Sequence, residues 1–375
     1  MTGVESRLVD PGAARRLIDH LCDKLAAADP GGDASLGSGA AGLALAAGHL
    51  ASARGDEQLA ARAGDWIAGA VEQMVERVPA PGLAHGIAGV GFALEQLGWL
   101  GVIEEAEPVA LLLADVARRQ LEIDDLTHDL LLGAAGIAIH GTQRASTGRD
   151  ARLAASSVAH LARAAHREGG LAWWINRPDP RWVDPSLVAR FPAGYADAGM
   201  AHGIAGALAA LAAAAGAGVE AARPLCAEVA AWLAAPPPFV PLLAGQPEAG
   251  WCRGEVGVAA GLYAAARAGD DEALADAAVD RARRALGRAA WQPGSLALCH
   301  GAAGVAHIAH RLHRATGDPA FADAARAAFA AVLAGADAIT EPGLLDGAAG
   351  MALAVDAALD PTRASWDRWF LPGLP

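Results

Sequence analysis

Ala201-His202-Gly203-Ile204-Ala205-Gly206 repeats, letter for letter, the stretch Ala84-His85-Gly86-Ile87-Ala88-Gly89. The frame they share, Gly-x-x-Gly followed by an Ala/Leu-rich run, occurs seven times. The other five are Gly39-Ala-Ala-Gly42, Gly133-Ala-Ala-Gly136, Gly254-Glu-Val-Gly257, Gly301-Ala-Ala-Gly304 and Gly347-Ala-Ala-Gly350. The first glycines stand 47, 47, 70, 51, 47 and 46 positions apart. One such motif carries no information; seven at near-constant spacing form a repeat.

A step of this length fits a helix–turn–helix unit. Each glycine pair opens an apolar helix, such as Leu43 to Leu50 or Val305 to Leu312. Glycine costs roughly 1 kcal/mol against Ala inside a helix. At a helix start the cost is smaller, and close backbone approach becomes possible. An amphipathic helix follows, such as Asp56 to Arg77 or Asp271 to Gly287. The prediction is an all-α chain of seven inner apolar and seven outer amphipathic helices. Pattern alone admits an open solenoid or a closed ring. The first and last units lack obvious polar caps, which favours the ring.

The long step carries about 20 extra residues, roughly Gly169 to Ala198. Trp173, Trp174 and Trp182 fall within it, in a chain only 5% aromatic. Pro178, Pro180, Pro185 and Pro192 exclude a regular helix there. The expectation is an irregular loop between units 3 and 4, either a structural plug or a peptide-binding wall.

Hydrophobic residues make up 54% of the chain, ample for a core, and much of this is Ala, a strong helix former. The net charge of −13 argues against a nucleic-acid surface. Met1 to Arg16 lacks the apolar core of a signal peptide. The longest apolar run, Ile204 to Val219, is too short to span a bilayer. The expectation is a cytoplasmic protein with no transmembrane segment. Four cysteines do not make a disulfide framework here. Cys22 and Cys226 read as small core residues.

Aligned on the first glycine, the units place their chemistry in one register. Unit 5 has Trp251-Cys252-Arg253 and unit 6 has Cys299-His300 just before it. Units 2 and 4 have His85 and His202 there, and unit 7 has Asp346, read as an N-cap. In unit 3, His128-Asp129 stands slightly further upstream. In a closed ring these slots converge at the mouth of the central cavity. Cys252, Cys299 and His300 make a two-sulfur, one-nitrogen set. Three protein ligands and an open position is the pattern of one catalytic zinc ion.

The seven Gly-x-x-Gly units, Trp-Cys-x-Gly at 251–254 and Cys-His-Gly at 299–301 resemble the lanthionine synthetase C family, the lanthipeptide cyclases. The resemblance covers nearly the whole chain. It implies a single α/α toroid over residues 1–375, a double ring of seven inner and seven outer helices. It implies zinc on Cys252, Cys299 and His300. It also implies a catalytic His202, in its Ala-His-Gly context, with Asp129 as acidic partner. The substrate class would be a dehydrated ribosomal precursor peptide. Its cysteine thiolates would add to dehydroalanine or dehydrobutyrine, giving lanthionine or methyllanthionine rings. A separate dehydratase would be a partner, and Trp251, Trp173, Trp174 and Trp182 are candidate peptide contacts.

Two positions depart from the family pattern. Arg253 stands where members commonly have Tyr, and Glu248 where they tend to have Arg. Arg253 is a candidate for charging the developing enolate, or it pairs with Glu248 or Glu255. By pattern alone, His85 and His202 are equivalent. Alternative readings are addition of a small thiol such as glutathione to dehydroamino acids, or a non-catalytic peptide-binding scaffold. A toroidal glycoside hydrolase would need paired carboxylates, and the register shows thiols and imidazoles.

Overall fold

The computed structural model describes residues 8–76, 80–104, 106–122, 126–177, 185–243, 249–287 and 295–375. Asp10 caps the first helix, α1 (Pro11–Ala26), accepting from the Ala13 amide at 2.6 Å, with Pro11 at the first helical position. Six helical hairpins follow. They are α2 (Ala40–Arg54) with α3 (Glu57–Glu76), α4 (Ile87–Trp99) with α5 (Ala106–Gln120), and α6 (Ala134–Ser146) with α7 (Arg152–Ala164). After an insertion containing the short helix α8 (Pro185–Arg190) come α9 (Ile204–Gly216) with α10 (Ala222–Ala234), α11 (Glu255–Ala268) with α12 (Glu272–Gly287), and α13 (Ala302–Thr316) with α14 (Pro319–Gly335). The last long helix is α15 (Ala348–Leu359), followed by a 3-10 helix over Pro361–Trp369.

The glycine-started helices form the inner ring. They are buried on nearly every side, as α9 shows from Ile204 to Ala212 without a break, which is how an all-round apolar helix reads. The outer helices bury one stripe: α12 buries Ala275, Ala278, Ala282 and Ala285 at helical spacing. The two glycines of each unit exist because the preceding loop folds back over the first helical turn. A Cβ on Gly89 would lie 1.9 Å from the Leu83 carbonyl oxygen, and one on Gly304 equally close to that of Leu298.

The ring is closed, and its closure is visible as a cycle of backbone hydrogen bonds. The Gly37 amide donates to Ala84 at 2.9 Å, Ala84 to Leu131 at 2.8 Å, and Leu131 to Ala201 at 3.2 Å. Ala201 donates to Cys252 at 3.1 Å, Cys252 to Cys299 at 3.1 Å, and Cys299 to Leu345 at 3.0 Å. Leu345 then donates to Gly37 at 2.9 Å. All seven residues occupy the position two before the first glycine of their unit. The fold is an α/α toroid.

The seventh outer helix does not follow its inner one, as the regular repeat predicts. It is α1, from the other end of the chain, which packs on α15 and α14. Lys24 fastens it by donating to the Ile339 carbonyl at 2.6 Å. The first and last units therefore share one hairpin, and the seam cannot open without stripping α15 of its cover. Among the described residues, one helix, Pro319–Ala338, is long and apolar enough by composition to cross a membrane. It belongs to the outer ring, where Phe321, Ala325, Phe329 and Val332 are buried.

The insertion is more regular than its prolines suggest. His166–Glu168 (β1) and Leu171–Trp173 (β2) form an antiparallel hairpin, and Ala196–Asp197 (β3) pairs in parallel with Leu242–Leu243 (β4). Pro185 opens α8 rather than preventing a helix, since a first-turn proline gives up no helical hydrogen bond. Pro178, Pro180 and Trp182 lie outside the described residues.

Two identical substitutions are expected to act in opposite directions. Gly89→Ala drives a methyl into the Leu83 carbonyl and should destabilise by about 2–3 kcal/mol. Gly69→Ala, mid-helix in α3 with no atom within 4 Å of the new methyl, should stabilise by about 0.5–1 kcal/mol. Urea midpoints of both variants beside the parent check the signs.

Candidate functional site

The hydrogen-bonded cycle sorts side chains by register. One step before it stand Leu36, Leu83, Leu130, Met200, Trp251, Leu298 and Leu344, all buried. One step after it stand Ser38, His85, Leu132, His202, Arg253, His300 and Asp346, all exposed or half-exposed. The second set rims the mouth of the toroid. Cys252 and Cys299 sit in the cycle itself and are bonded to each other through their backbones. That bond places two thiols side by side although 47 positions separate them.

The ligating atoms of Cys252, Cys299 and His300 all lie within 4.8 Å of one another. Among the described residues, no other group of three or more His, Cys, Asp or Glu side chains comes close enough to hold an ion. The Cys252 thiol is pulled down to about 6, first by a hydrogen bond from Cys299, with His300 and Arg253 adding to it against burial. Cys299, which holds the shared proton in a buried setting, is pushed up. A thiolate, a second thiol and an imidazole, half-buried and open on one side, suit a borderline-soft cation with a free coordination position. Asp346 lies 3.8 Å from His300 Nδ1. It does not cap α15, whose cap is Gly347.

The neighbouring units supply an acid–base pair. Asp129 Oδ2 lies 3.2 Å from His202 Nδ1, and Asp129 Oδ1 accepts from the Leu132 amide. Asp129 is buried and His202 half-exposed. Burial works against protonation of His202. The hydrogen bond and charge of Asp129, with the charge of Asp197, outweigh it and hold the imidazole above its ordinary value. The insertion reaches this residue directly: Asn176 Nδ2 donates to the His202 carbonyl at 2.9 Å. Ala201, just before His202, donates to the Cys252 carbonyl, so the pair adjoins the thiols.

A family model described as "Lanthionine synthetase C-like protein" matches residues 31–371. The chain belongs to the lanthionine synthetase C-like family. Among solved structures it is similar to one described as "Nisin cyclase", with a TM-score of 0.78 and 18% identity. The likeness covers 97% of this chain and 98% of that one. Comparison with curated proteins finds no match.

Within this family fold, the residues singled out from the sequence separate into groups. The structure brings Cys252, Cys299 and His300 together, and His202 with Asp129. Arg253 stands on the rim between His202 and His300 in ring order. Glu255 is taken by Arg281 at 2.5 Å, and Glu248 lies outside the described residues. His85 is exposed on the rim of unit 2, three units from either cysteine around the ring. Of the candidate peptide contacts, Trp251, Trp173 and Trp174 are buried. Trp251 is fully buried. Trp174 stacks on His128 at 5.3 Å and donates to the Leu161 carbonyl. Trp173 is buried against Trp232 at 6.3 Å. Their rings belong to the packing of the described structure.

Three residues near His202 carry no repeat signal in the sequence. Asp197 is buried, accepts from the Gly199 amide at 2.7 Å, and has its carboxyl pushed up by burial. Tyr195 and Asn176 exchange backbone hydrogen bonds beside it. All three belong to the insertion, so no unit-to-unit alignment can find them.

Asp129→Asn should remove the charge that favours the His202 imidazolium while leaving burial intact. Its pKa is expected to fall from above 6.5 toward or below that value, read by NMR titration of the His202 ring protons. The sign carries over to stability. A raised folded-state pKa contributes stability below the unfolded value, lost as pH rises through the folded one. The variant should lose that pH dependence.

Proposed function

We propose that the chain is a zinc-dependent cyclase that closes thioether rings in a dehydrated precursor peptide. The observation that carries this reading is the convergence, on one rim, of a two-thiol, one-imidazole set with an imidazole–carboxylate pair. Cys252, Cys299 and His300 would hold the ion. When bound, zinc would favour the thiolate form of a coordinated thiol, whose free pKa is near 8.5.

The protein's own residues manage the addition and the proton transfer. The peptide thiolate attacks the β-carbon of dehydroalanine or dehydrobutyrine, forming the C–S bond. The C=C electrons move toward the α-carbon and its carbonyl, where negative charge develops. Arg253 faces that charge from the rim and stabilises it. His202 is held at Nδ1 by Asp129, so Nε2 is the free end that delivers a proton to the α-carbon. The hydrogen bond and charge of Asp129 favour the protonated imidazole that this step uses. The product is lanthionine or methyllanthionine. The peptide arrives already dehydrated by a separate dehydratase, and the reaction runs in the cytoplasm, where thiols stay reduced.

Metal analysis of the parent beside Cys299→Ala tests the centre. The expected result is near-stoichiometric zinc in the parent and its loss in the variant; a parent without zinc overturns the reading. His202→Asn should keep its zinc and lose cyclisation of dehydrated peptide by about 100-fold or more. Arg253→Ala with unchanged cyclisation and intact zinc would remove Arg253 from the mechanism.

A further inference from the structure

The toroid has a hole, and the chain fills it with its own last segment. After α15 the backbone turns into the 3-10 helix Pro361–Trp369 and runs on to Leu374. This segment touches every inner helix. Arg363 pairs with Asp356 of α15 at 3.0 Å. The 3-10 helix packs on α2 and α6. The Ser365 carbonyl accepts from Gln96 of α4 at 3.3 Å. The Asp367 carboxylate meets His307 Nε2 at 2.8 Å and Arg311 at 3.1 Å, both on α13. Gly373 lies so close to α9 and α11 that a Cβ would sit 3.1 Å from the Ala213 nitrogen and 3.4 Å from the Ala264 Cβ. A segment this short can touch all seven inner helices only from inside the ring.

The same segment meets Trp251, the residue before Cys252. The Phe370 ring stacks on Trp251 with centroids 4.7 Å apart and planes 21° apart. Trp251 Nε1 donates to the Phe370 carbonyl at 2.6 Å. The Trp369 ring meets Trp251 edge-on at 6.0 Å. Trp251 and Phe370 are fully buried, and Trp251 immediately precedes Cys252. The indole is thus clamped on the side away from the mouth, by a face and by a hydrogen bond.

We infer that residues 361–374 are a built-in plug that fixes the Trp251–Cys252 backbone through Phe370, which makes Phe370 a positioning residue for the metal centre. The plug also closes the ring's hole, so a peptide enters and leaves by the mouth. The metal part of this inference rests on the zinc reading above; the backbone part does not.

The test uses the full chain and Phe370→Ala, Phe370→Leu and Trp251→Phe variants. The first readout is amide hydrogen exchange over residues 249–254 in metal-free protein, with the equivalent loop at 81–86 as internal control. The second is zinc affinity, by competition with a chromophoric chelator. Far-UV circular dichroism reports the fold. Phe370→Ala is expected to keep its helices and exchange faster at 249–254 alone. Its zinc affinity should fall by about 10-fold or more, the usual effect of losing an outer-shell support. Phe370→Leu should recover most of both. Should Phe370→Ala not fold, Trp251→Phe removes only the indole donor, and the same local loosening is expected. A folded variant with unchanged exchange at 249–254, or loosening spread evenly over both loops, overturns the inference. A parent without zinc affinity whose Phe370→Ala variant still loosens locally overturns the zinc reading and leaves the plug standing.

Discussion

The bond from the Leu345 amide to the Gly37 carbonyl joins the last unit to the first, and with it the cycle is complete. Each of the seven loops folds back against the inner helix that follows it, with one face at the mouth and the residue before the cycle buried. Buried backbone groups need partners, and each loop finds its own in the next loop round. A net contribution of about 1 kcal/mol per bond is modest. The larger effect is geometric. A closed cycle has no free end to fray, so the backbone at each loop is fixed in direction by two neighbours. Side chains at and just after the cycle inherit that direction. Two cysteines far apart in sequence become adjacent thiols because their amide and carbonyl are bonded, without a dedicated loop for either.

The same constraint explains why the repeat is readable. The loop can fold back only where two glycines leave room. A Cβ on the second would strike the carbonyl three residues before the first. The motif in the sequence is the footprint of that contact, and the rim residues are legible once it is aligned. The burial of Trp251 is legible by the same logic. Its register partners Leu36, Leu83, Leu130, Met200, Leu298 and Leu344 are all apolar, which marks that position as inward-facing. Its place beside Cys252 points instead to a role at the mouth.

What the repeat could not carry is whatever breaks it. The seventh outer helix comes from α1, whose sequence shows an amphipathic helix but not its destination. The plug is a short run, Pro361 to Leu374, with no periodicity of its own. Its place is fixed by contacts with seven different helices. Asp197, Tyr195 and Asn176 belong to an insertion present in one unit only. In each case the determining interaction is tertiary and occurs once, so no internal comparison exposes it.

The rim is chemically asymmetric, and the asymmetry follows ring order. Units 5 and 6 bring two thiols of which Cys252 gives up its proton readily while Cys299 retains the shared one. Units 3 and 4 bring an imidazole whose proton is held more firmly than usual. Burial alone would do the reverse to both, disfavouring the thiolate and the imidazolium alike. Specific partners reverse it: Cys299 and His300 for the thiolate, Asp129 and Asp197 for the imidazolium. Arg253 lies between the two, and its charge favours the thiolate while opposing the imidazolium. A cation at this position therefore lowers the basicity of His202. The charge of Asp197 acts on His202 in the opposite sense to that of Arg253, and burial, which pushes the Asp197 carboxyl up, is opposed by Arg253 and His202 together.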